Sequence, residues 1–597
     1  MSIALPWSRF AFSSLSALQP GPRSGMVHQR LRSRVTGMVS ALLIALPVLA
    51  PSTHAASPEP VRGEQGAVAS RSMIASRVGV DIMAAGGNAI DAAVATGFAL
   101  AVTWPSAGNL GGGGFMVIRL ADGTVITNDH REKAPLAATE TMYQDEDGDI
   151  VDGLSTHSHL AVGVPGSVAG MLDVLERHGE LDRATVLAPA IRLASEGFVL
   201  SHDHARDFAR ALDRMAPYPA SMAQFTRDGV PYVAGELFRQ PDLARTLERI
   251  AAEGKAGFYT GETAELFVAE MERGGGIITR EDLAQYQSVW REPIRGSYRG
   301  YEIWSMPPPS SGGALLVQML NVFEPFDIAA MGFGSADAIH LMIEAERRAY
   351  ADRAMHLGDT DFYDVPLEML TSPAYARQRF ADFDPETATP SDAVGAGSWP
   401  AESPDTTHLS AMDAAGNVVS YTTTLNLSYG TKIVVTGAGF LLNNEMDDFS
   451  AKPGVPNAYG LIGREANAIA PSKRMLSSMT PTIVTKGGEP WLATGSPGGA
   501  TIITTTLQVI VNSIDHEMAL NDAVGRPRFH HQWQPDRVIF EPLGISPDTL
   551  DILSGMGHDM VPAPWGGGIG DANSVKRDGN EIQAVGDPRN DGGAAAF

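Results

Sequence analysis

The chain has 597 residues, of which 44% are hydrophobic and 19% are charged, so it contains enough apolar material for a large buried core. Its formal net charge of −25 disfavours non-specific nucleic-acid binding, which needs a cationic surface. The absence of cysteine excludes disulfides, thiol nucleophiles and cysteine-ligated metals. We therefore expect a globular protein whose stability depends on its core.

Residues 1–55 have the pattern of a secretory signal. They contain five arginines and no acidic residue, and a basic segment, His28–Arg34, precedes an apolar run, Gly37–Ala50. Small residues follow before a cleavage point after residue 55, and the apolar run is short for a membrane span. We predict a cleaved signal peptide, a periplasmic or secreted bacterial protein and no membrane span in the mature form. Met26 is an alternative start.

Helical periodicity dominates the first part of the chain, where apolar residues recur at three- and four-residue spacing. The helical segments are Ser76–Ala101, interrupted at Gly86–Asn88, and Ser167–His178, Arg183–Glu196, Pro241–Glu253, Thr263–Glu272 and Ser335–Arg353. Short strands are predicted between them, at Phe115–Leu120 and Tyr301–Ser305. Helices and strands are therefore interleaved.

A polar stretch from Phe383 to Pro404, rich in Asp, Pro, Ser and Gly, is predicted to be a surface linker. Strand-forming runs follow it at Thr407–Met412 and Val418–Leu425, joined by a hairpin turn at Asp413–Asn417. More strands are predicted at Pro481–Lys486 and Trp491–Ala493. A helix-rich half thus precedes a strand-rich half.

Asp405 and Thr406 lie where the linker meets the first of these strands. A cut between them would leave Thr406 as a free N-terminus. A threonine hydroxyl is a poor nucleophile, but a base can activate it, and an α-amine with a pKa near 7.7–8.0 can be that base. By itself, the Thr406-Thr407 pair is better explained by β-propensity than by catalysis.

Eight further segments carry information through their order and spacing. They are Gly108–Phe115, Arg131-Glu132 with Ala134-Pro135, Pro307–Gly313, Thr406-Thr407-His408, Thr424-Leu425-Asn426, Leu442–Phe449, Leu476–Met479 and Gly495–Gly499. With these segments, the chain after the signal resembles the γ-glutamyltransferase family of N-terminal nucleophile hydrolases.

This resemblance implies an α/β fold, a four-layer αββα sandwich, made from an inactive precursor. The precursor would cleave itself between Asp405 and Thr406. Its products would be a large subunit, residues 56–405, and a small subunit, residues 406–597, which stay associated as a heterodimer and form the sandwich jointly.

The resemblance also implies catalytic roles. Thr406 would be the nucleophile, and the hydroxyl of Thr424 would orient it. Gly498 and Gly499 match a backbone N–H pair that binds the oxyanion, where a side chain would obstruct the approach. An ordinary turn after Pro497 is the alternative explanation for this glycine pair.

A γ-glutamyl group presents a carboxylate and an ammonium on one carbon, so its pocket needs recognition elements of both signs. Arg131 can hold the carboxylate bidentately, unless it only pairs with Glu132. The other matched positions are Ser477 and Ser478 on the carboxylate side, Asp448, Glu445 and Asn426 on the amine side, and Tyr459 as the latch of a lid loop, Lys452–Tyr459. Glu445 replaces a glutamine common in bacterial members, and a static surface loop is the alternative for the lid.

Three other patterns are discounted. The glycines Gly111–Gly114 lack the lysine and hydroxyl residue of a phosphate-binding loop. His530 and His531 are adjacent rather than spaced as helical metal ligands. Asp145–Gly153 fits a hairpin turn better than a calcium loop, because its glycine is misplaced. No metal or cofactor is expected.

The resemblance therefore implies a ping-pong acyl transfer with glutathione hydrolase activity. Thr406 would take the γ-glutamyl group from glutathione or a related amide, and water, an amino acid or a peptide would accept it. Alternatives with the same nucleophile are a β-lactam acylase and a poly-γ-glutamate-processing enzyme. A non-catalytic binding protein that retains the fold is a third.

Overall fold

The computed structural model contains two seven-stranded sheets. It describes residues 57–394, 406–452, 454–455, 457–458, 460–563 and 568–597. In chain order the strands are β1 (Val61–Gly63), β2 (Gly66–Ser70), β3 (Gly113–Arg119), β4 (Val125–His130), β5 (Phe198–Val199), β6 (Thr226–Arg227), β7 (Val230–Pro231), β8 (Leu237–Phe238), β9 (Val289–Arg291), β10 (Ile294–Tyr298), β11 (Tyr301–Ser305), β12 (Thr407–Asp413), β13 (Val418–Thr424), β14 (Thr482–Lys486), β15 (Glu489–Thr494), β16 (Phe529–His530), β17 (Val538–Phe540), β18 (Met560–Pro562), β19 (Ser574–Asp578), β20 (Glu581–Val585) and β21 (Gly593–Ala596).

Helices cover the sheets. In chain order they are α1 (Met73–Ala84), α2 (Ala89–Thr103), α3 (Ser167–His178), α4 (Arg183–Glu196), α5 (His202–Met215), α6 (Pro219–Phe225), α7 (Pro241–Glu253), α8 (Ala256–Tyr259), α9 (Gly261–Gly274), α10 (Arg280–Ala284), α11 (Gly312–Phe323), α12 (Ile328–Met331), α13 (Ala336–His356), α14 (Leu367–Leu370), α15 (Pro373–Arg379), α16 (Thr501–Ile514), α17 (Leu520–Gly525) and α18 (Pro547–Met556). Within the described ranges, none of these helices is long and apolar enough to cross a membrane.

The strand order is β21-β2-β12-β13-β3-β4-β9 in the first sheet and β1-β20-β19-β15-β14-β11-β10 in the second. Neighbouring strands within each of these sheets pair antiparallel. Both sheets combine strands from before and after Thr406, and strands after Thr406 lie at their centres. Neither segment could therefore complete a sheet alone.

The two sheets pack face to face, and helices cover their outer faces. On β12, Leu409 and Ala411 belong to the core beneath α1 to α9, whereas Met412 belongs to the core between the sheets. On β14, Ile483 faces the other sheet and Val484 faces α11, α13 and α16. This alternation follows from the two-residue period of a strand and gives four layers, αββα. The predicted fold is confirmed.

The predicted helices and hairpins are largely confirmed. α1 and α2 are separated at residues 85–88, and Asn88 caps α2 with its side chain. β12 and β13 pair across the predicted turn, with Gly416 at a φ of 92°. Residues 145–149 make the expected tight turn, closed by a hydrogen bond of 2.9 Å from the Asp145 amide to the Asp149 carbonyl.

The linker prediction was partly wrong, because two residues near the middle of the predicted linker are buried rather than exposed. Ser391 and Val394 lie in a short 3-10 turn, Ser391–Val394. The buried guanidinium of Arg347 donates to the Ser391 hydroxyl and to Asp536, so the turn is held against α13. A buried cation needs such acceptors. Residues 395–405 lie outside the described part of the chain.

Candidate functional site

Thr406 lies immediately before β12, in the middle of the first sheet, and its side chain is buried. The pairing of Thr407 with Thr423 places Thr406 opposite Thr424, the last residue of β13. The Oγ1 of Thr406 donates to the Oγ1 of Thr424 over 3.4 Å, and the Thr424 Oγ1 accepts from the Asn426 amide over 2.8 Å. The two hydroxyls are thus held together by the register of one hairpin.

A small polar cavity opens next to Thr406. Its volume is about 20 Å³, which is room for about one water molecule. Its described lining includes nine residues singled out from the sequence: Arg131, Thr406, Thr424, Asn426, Glu445, Asp448, Ser477, Ser478 and Gly499. These residues come from loops more than 300 positions apart in sequence, and only the sheet pairing brings them together.

Three carboxyl groups surround the completely buried guanidinium of Arg131. Its two terminal nitrogens donate at close range to Glu445 and Asp448, and the carboxylate of Glu132 lies 3.7 Å away. Its Nε also donates to the Met475 carbonyl over 3.3 Å. The alternative of a surface salt bridge with Glu132 was wrong, because Arg131 and Glu132 have no exposed side-chain surface.

One guanidinium cannot neutralise three buried carboxylates, so the cluster retains protons. Burial raises the pKa of Glu132 to about 7, although the Arg131 charge opposes this. Burial also raises the pKa of Glu445 well above its usual value and raises that of Asp448, again against Arg131. Both oxygens of Glu132 and one of Glu445 lack a hydrogen-bond partner in the described structure, and a proton shared between these carboxyls would satisfy them.

The glycine run Gly111–Gly114 has a packing reason rather than a phosphate-binding one. A Cβ on Gly112 would lie 2.0 Å from the carbonyl oxygen of Thr424, and one on Gly113 would lie 2.4 Å from a Glu132 oxygen. Glycine therefore allows β3 to approach the strand that ends at Thr424. Asn109 also stabilises this approach by donating to the Thr424 carbonyl over 2.8 Å.

Gly498 and Gly499 lie just before α16 with φ values of 134° and 55°. Gly498 lines the large cavity described below, and Gly499 lines the small one. Their own amide groups donate to no partner in the described ranges, whereas their carbonyls accept from the first turn of the helix. Two unpaired N–H groups at a helix N-terminus are suited to binding a negative charge.

Ser477 and Ser478 are positioned by a residue that the sequence analysis missed. Arg353 is buried near the end of α13 and donates to the Ser478 Oγ over 3.2 Å and to the Ser311 Oγ over 2.9 Å. Ser311 in turn donates to the carbonyl of Ser477 over 2.8 Å. In the sequence Arg353 is one charged residue of a helix, and only its position late in an otherwise buried helix could have indicated this contact.

A second, much larger cavity of about 540 Å³ lies on the other side of Thr406. Thr406 lines both cavities, and Gly498 and Tyr429 line the large one. Thr406 therefore lies at the boundary between a small polar pocket and a larger chamber.

No histidine lines either cavity among the described residues. His408 is near Thr406 in sequence, but its ring is hydrogen-bonded to Thr422 and Ser410, and burial lowers its pKa to about 3. It is therefore neutral and engaged elsewhere. A base for the Thr406 hydroxyl has to come from another group, and the α-amine of Thr406 is the one that cleavage would create.

The predicted lid segment packs on the acidic side of the small cavity. The amide of Ala458 donates to Asp447 over 2.8 Å, and the side chain of Asn457 donates to Asp448 over 3.1 Å. Tyr459 lies outside the described residues, so its role as a latch stays a prediction.

One cluster has the composition of a metal site. Ligand atoms of His340, Glu344 and His558 lie within 4.8 Å of one another and are buried. The two histidines are joined by a hydrogen bond of 2.7 Å, and Glu344 already accepts from Arg347 and Arg348. Hydrogen bonds thus engage His340, Glu344 and the Nε2 of His558, whereas the Nδ1 of His558 is buried without a hydrogen-bond partner in the described structure. The discounted pair is likewise engaged, since both rings of His530 and His531 make hydrogen bonds.

Comparison with known proteins agrees with this geometry. The family model described as Gamma-glutamyltranspeptidase matches residues 75–597. The glutathione hydrolase proenzyme of Escherichia coli (strain K12) is 51% identical over 504 residues, which cover 84% of this chain and 87% of that protein. The Acylase ACY 1 proenzyme of Pseudomonas sp. (strain SE83) is 41% identical over 534 residues, with 87% and 92% covered.

Solved structures show the same fold. A cephalosporin acylase from Bacillus halodurans superposes with a TM-score of 0.80 and 28% identity, covering 91% of this chain and 98% of that one. The Helicobacter pylori gamma-glutamyltranspeptidase gives a TM-score of 0.53 and 49% identity, covering 54% and 93%. From the extent of these matches, this chain belongs to the gamma-glutamyltranspeptidase family.

Proposed function

We propose that this chain cleaves γ-glutamyl amides such as glutathione and transfers the γ-glutamyl group to water or to the amine of an amino acid or peptide. The main structural evidence is the position of Thr406, whose hydroxyl lies 3.4 Å from that of Thr424 and at the boundary of two cavities. Relatives named glutathione hydrolase, one of them 51% identical, support the same activity.

Maturation would use the same hydroxyl as turnover. The Thr406 oxygen attacks the carbonyl carbon of Asp405, the peptide C–N bond breaks, and an ester forms while the α-amine of Thr406 takes up a proton. Water then hydrolyses the ester, which gives a new carboxyl terminus at Asp405 and restores the Thr406 hydroxyl. The products are residues 56–405 and 406–597, which stay associated because each sheet pairs strands of one segment with strands of the other.

In turnover, the neutral α-amine takes the proton of the Thr406 hydroxyl as its oxygen attacks the γ-carbonyl carbon. The oxyanion is stabilised by the N–H groups of Gly498 and Gly499, and the amine passes its proton to the leaving nitrogen as the C–N bond breaks. Water or an acceptor amine then attacks the γ-glutamyl ester, and the C–O bond to Thr406 breaks. Thr424 orients the hydroxyl throughout.

Substrate recognition would follow from partner exchange at Arg131. Glu445 and Asp448 occupy both arms of its guanidinium fork. The α-carboxylate of a glutamyl group would replace one of them on Arg131, with Ser477 and Ser478 adding hydrogen bonds, while Asp448, Glu445 and Asn426 receive the α-ammonium. A glutamyl group is larger than a cavity of about 20 Å³, so these side chains must move when it binds.

Acylase activity on a β-lactam side chain is a second candidate, because relatives named acylase are 41% identical to this chain. The two candidates differ in the substrate head group. A pocket with a buried arginine beside three acidic groups favours a zwitterionic amino-acid head over an uncharged or dicarboxylic acyl chain. We therefore favour the γ-glutamyl substrate.

The test is to incubate the purified protein with glutathione, with γ-glutamyl-p-nitroanilide and with glutaryl-7-aminocephalosporanic acid, each with and without glycylglycine. We expect release of glutamate and cysteinylglycine from glutathione, and γ-glutamyl-glycylglycine when the acceptor is present. Faster cleavage of the glutaryl substrate than of both glutamyl donors would favour the acylase instead. Sequencing the N-terminus of exported protein would test the signal peptide and the location outside the cytoplasm.

A further inference from the structure

The large cavity has a basic wall formed by one face of α5. Arg206, Arg210 and Arg214 all line it, at intervals of four residues, so they lie in a row on one side of the helix. Eight residues at about 1.5 Å each give this row a length of about 12 Å. The opposite face of α5 is buried through Phe208 and Met215, which fixes the direction of the row.

The acidic groups of this cavity are already engaged. Asp203 pairs with Arg206, Asp207 accepts from the Tyr429 hydroxyl over 2.6 Å, and Asp571 lies 3.4 Å from Arg71. By contrast, neither Arg210 nor Arg214 has an ion pair within 4 Å or a hydrogen bond among the residues that the structure describes. Five basic and three acidic side chains line the cavity, so it is positive in a chain whose net charge is −25.

Arg71 adds a second cationic surface to the same chamber. Its guanidinium stacks on Trp104, with 4.2 Å between the guanidinium carbon and the ring centroid, and one terminal nitrogen is buried without a hydrogen-bond partner in the described structure. Basic groups thus face the chamber from α5 and from the segment before α1. Such an arrangement attracts an anion on entry.

We propose that the arginine row, defined as Arg206, Arg210 and Arg214, binds the free carboxylate of the peptide-like group on the far side of the scissile bond. This is the carboxylate of the leaving cysteinylglycine in glutathione, or of an amino-acid or dipeptide acceptor. The inference rests on the proposed function and specifies its substrate class. The row selects carboxylate-bearing donors and acceptors over their neutral amides.

The geometry suits a short acceptor. An acceptor amine has to reach the ester carbon at Thr406, and Thr406 lines the same chamber as the row. The chamber, with a volume of about 540 Å³, is large enough to hold a dipeptide such as glycylglycine together with its hydration water.

The test compares two acceptors, glycylglycine and glycylglycinamide, with γ-glutamyl-p-nitroanilide as the donor. They share an attacking amine but only the first has a carboxylate, and rates are compared at equal concentrations of unprotonated amine. The variants are Arg210→Gln, Arg214→Gln and the double variant. The control is Arg245→Gln, an exposed helical arginine on α7 that does not line the cavity.

We expect each single variant to lower kcat/KM for glycylglycine about 3- to 10-fold relative to glycylglycinamide, as suits a partly solvated ion pair. The double variant should lower it further, and the wild-type preference should weaken between about 0.05 M and about 0.5 M salt. Arg245→Gln should leave the ratio unchanged. Glutathione cleavage should follow the glycylglycine pattern.

An equal loss with both acceptors, or an unchanged ratio in the double variant, would overturn the role of the arginine row. Neighbouring cations could replace a lost arginine in binding the acceptor carboxylate, so the Arg210→Glu variant is tested as well. Its reversed charge should make glycylglycinamide the better acceptor. If the wild-type protein fails to release p-nitroaniline at all, the proposed function fails instead. The two failures are therefore distinguishable.

Discussion

Replacing Glu132 by glutamine removes one titrating carboxyl from the buried cluster around Arg131. Glutamine keeps the shape of a protonated glutamate but carries no charge at any pH. Burial raises the pKa of Glu132 to about 7 from an ordinary value of 4.5, even though Arg131 opposes the change. The folded protein therefore holds a proton that the unfolded chain releases more easily.

The sign and size of the effect on stability follow from this difference in pKa. The stability contributed by protonated Glu132 is fully present below pH 4.5 and is lost as the pH rises through about 7. At about 1.4 kcal/mol per tenfold change in proton affinity, the loss amounts to at most about 3 kcal/mol. Glu132→Gln should therefore match the wild-type stability near pH 4.5 and exceed it near pH 8 by up to this amount.

The measurement is urea unfolding between about pH 4.5 and about pH 8, carried out in the uncleaved Thr406→Ala chain so that maturation does not vary between samples. The control is Glu292→Gln, which removes the same formal charge from an exposed position. Its stability curve should keep the shape of the parent curve. Parallel curves for Glu132→Gln and its parent across this range would refute the view that Glu132 is protonated in the folded state.

Three further predictions concern the reaction itself. The purified enzyme should contain a subunit that begins Thr-Thr-His-Leu by Edman sequencing, whereas the Thr406→Ala variant should stay one inactive chain. A different N-terminal sequence would rule out Thr406 as the nucleophile. Arg131→Ala should lower kcat/KM for γ-glutamyl donors by about 30-fold to several thousand-fold, or about 2–5 kcal/mol. The precursor should still cleave itself before Thr406. The thermal midpoint should fall, because three buried carboxyls lose their counter-charge. kcat/KM should rise with pH as the α-amine of Thr406 loses its proton. Burial raises the pKa of Glu445 well above its usual value, which favours its neutral form. Glu445→Gln should therefore leave the position of this rise unchanged, and a rise that moves to lower pH would show Glu445 to be ionised.

The Glu445 prediction shows how far sequence reasoning reached. The family resemblance placed Glu445 on the amine side of the pocket, where it replaces a glutamine common in bacterial members. The structure adds that Glu132 and Asp448 crowd the same guanidinium, so the charge of Glu445 depends on two other acids. Sequence spacing contains no information on this shared titration, because residue 132 and residues 445–448 meet only in the folded protein.

The helices, the β12–β13 hairpin and the residues of the small cavity could be predicted because their signals are local or lie in short motifs. Periodicity marks α3 and α7, a glycine-containing turn marks the hairpin, and the segments around Arg131, Thr406 and Gly498 are recognisable through their order and spacing together. The sequence by itself therefore determined the family, the αββα class and the set of candidate site residues.

Tertiary structure alone decided how these residues are charged, how they are supported and what lies on the far side of Thr406. Arg353 reaches Ser478 from another layer, and the arginine row faces a chamber that is visible only once α5 packs against α6 and Tyr429. In the sequence, Arg206, Arg210 and Arg214 are a solvated helix face like many others. Their significance depends on long-range packing, because the burial of Phe208 against Phe225, Phe238 and Tyr429 sets which side of α5 faces the chamber.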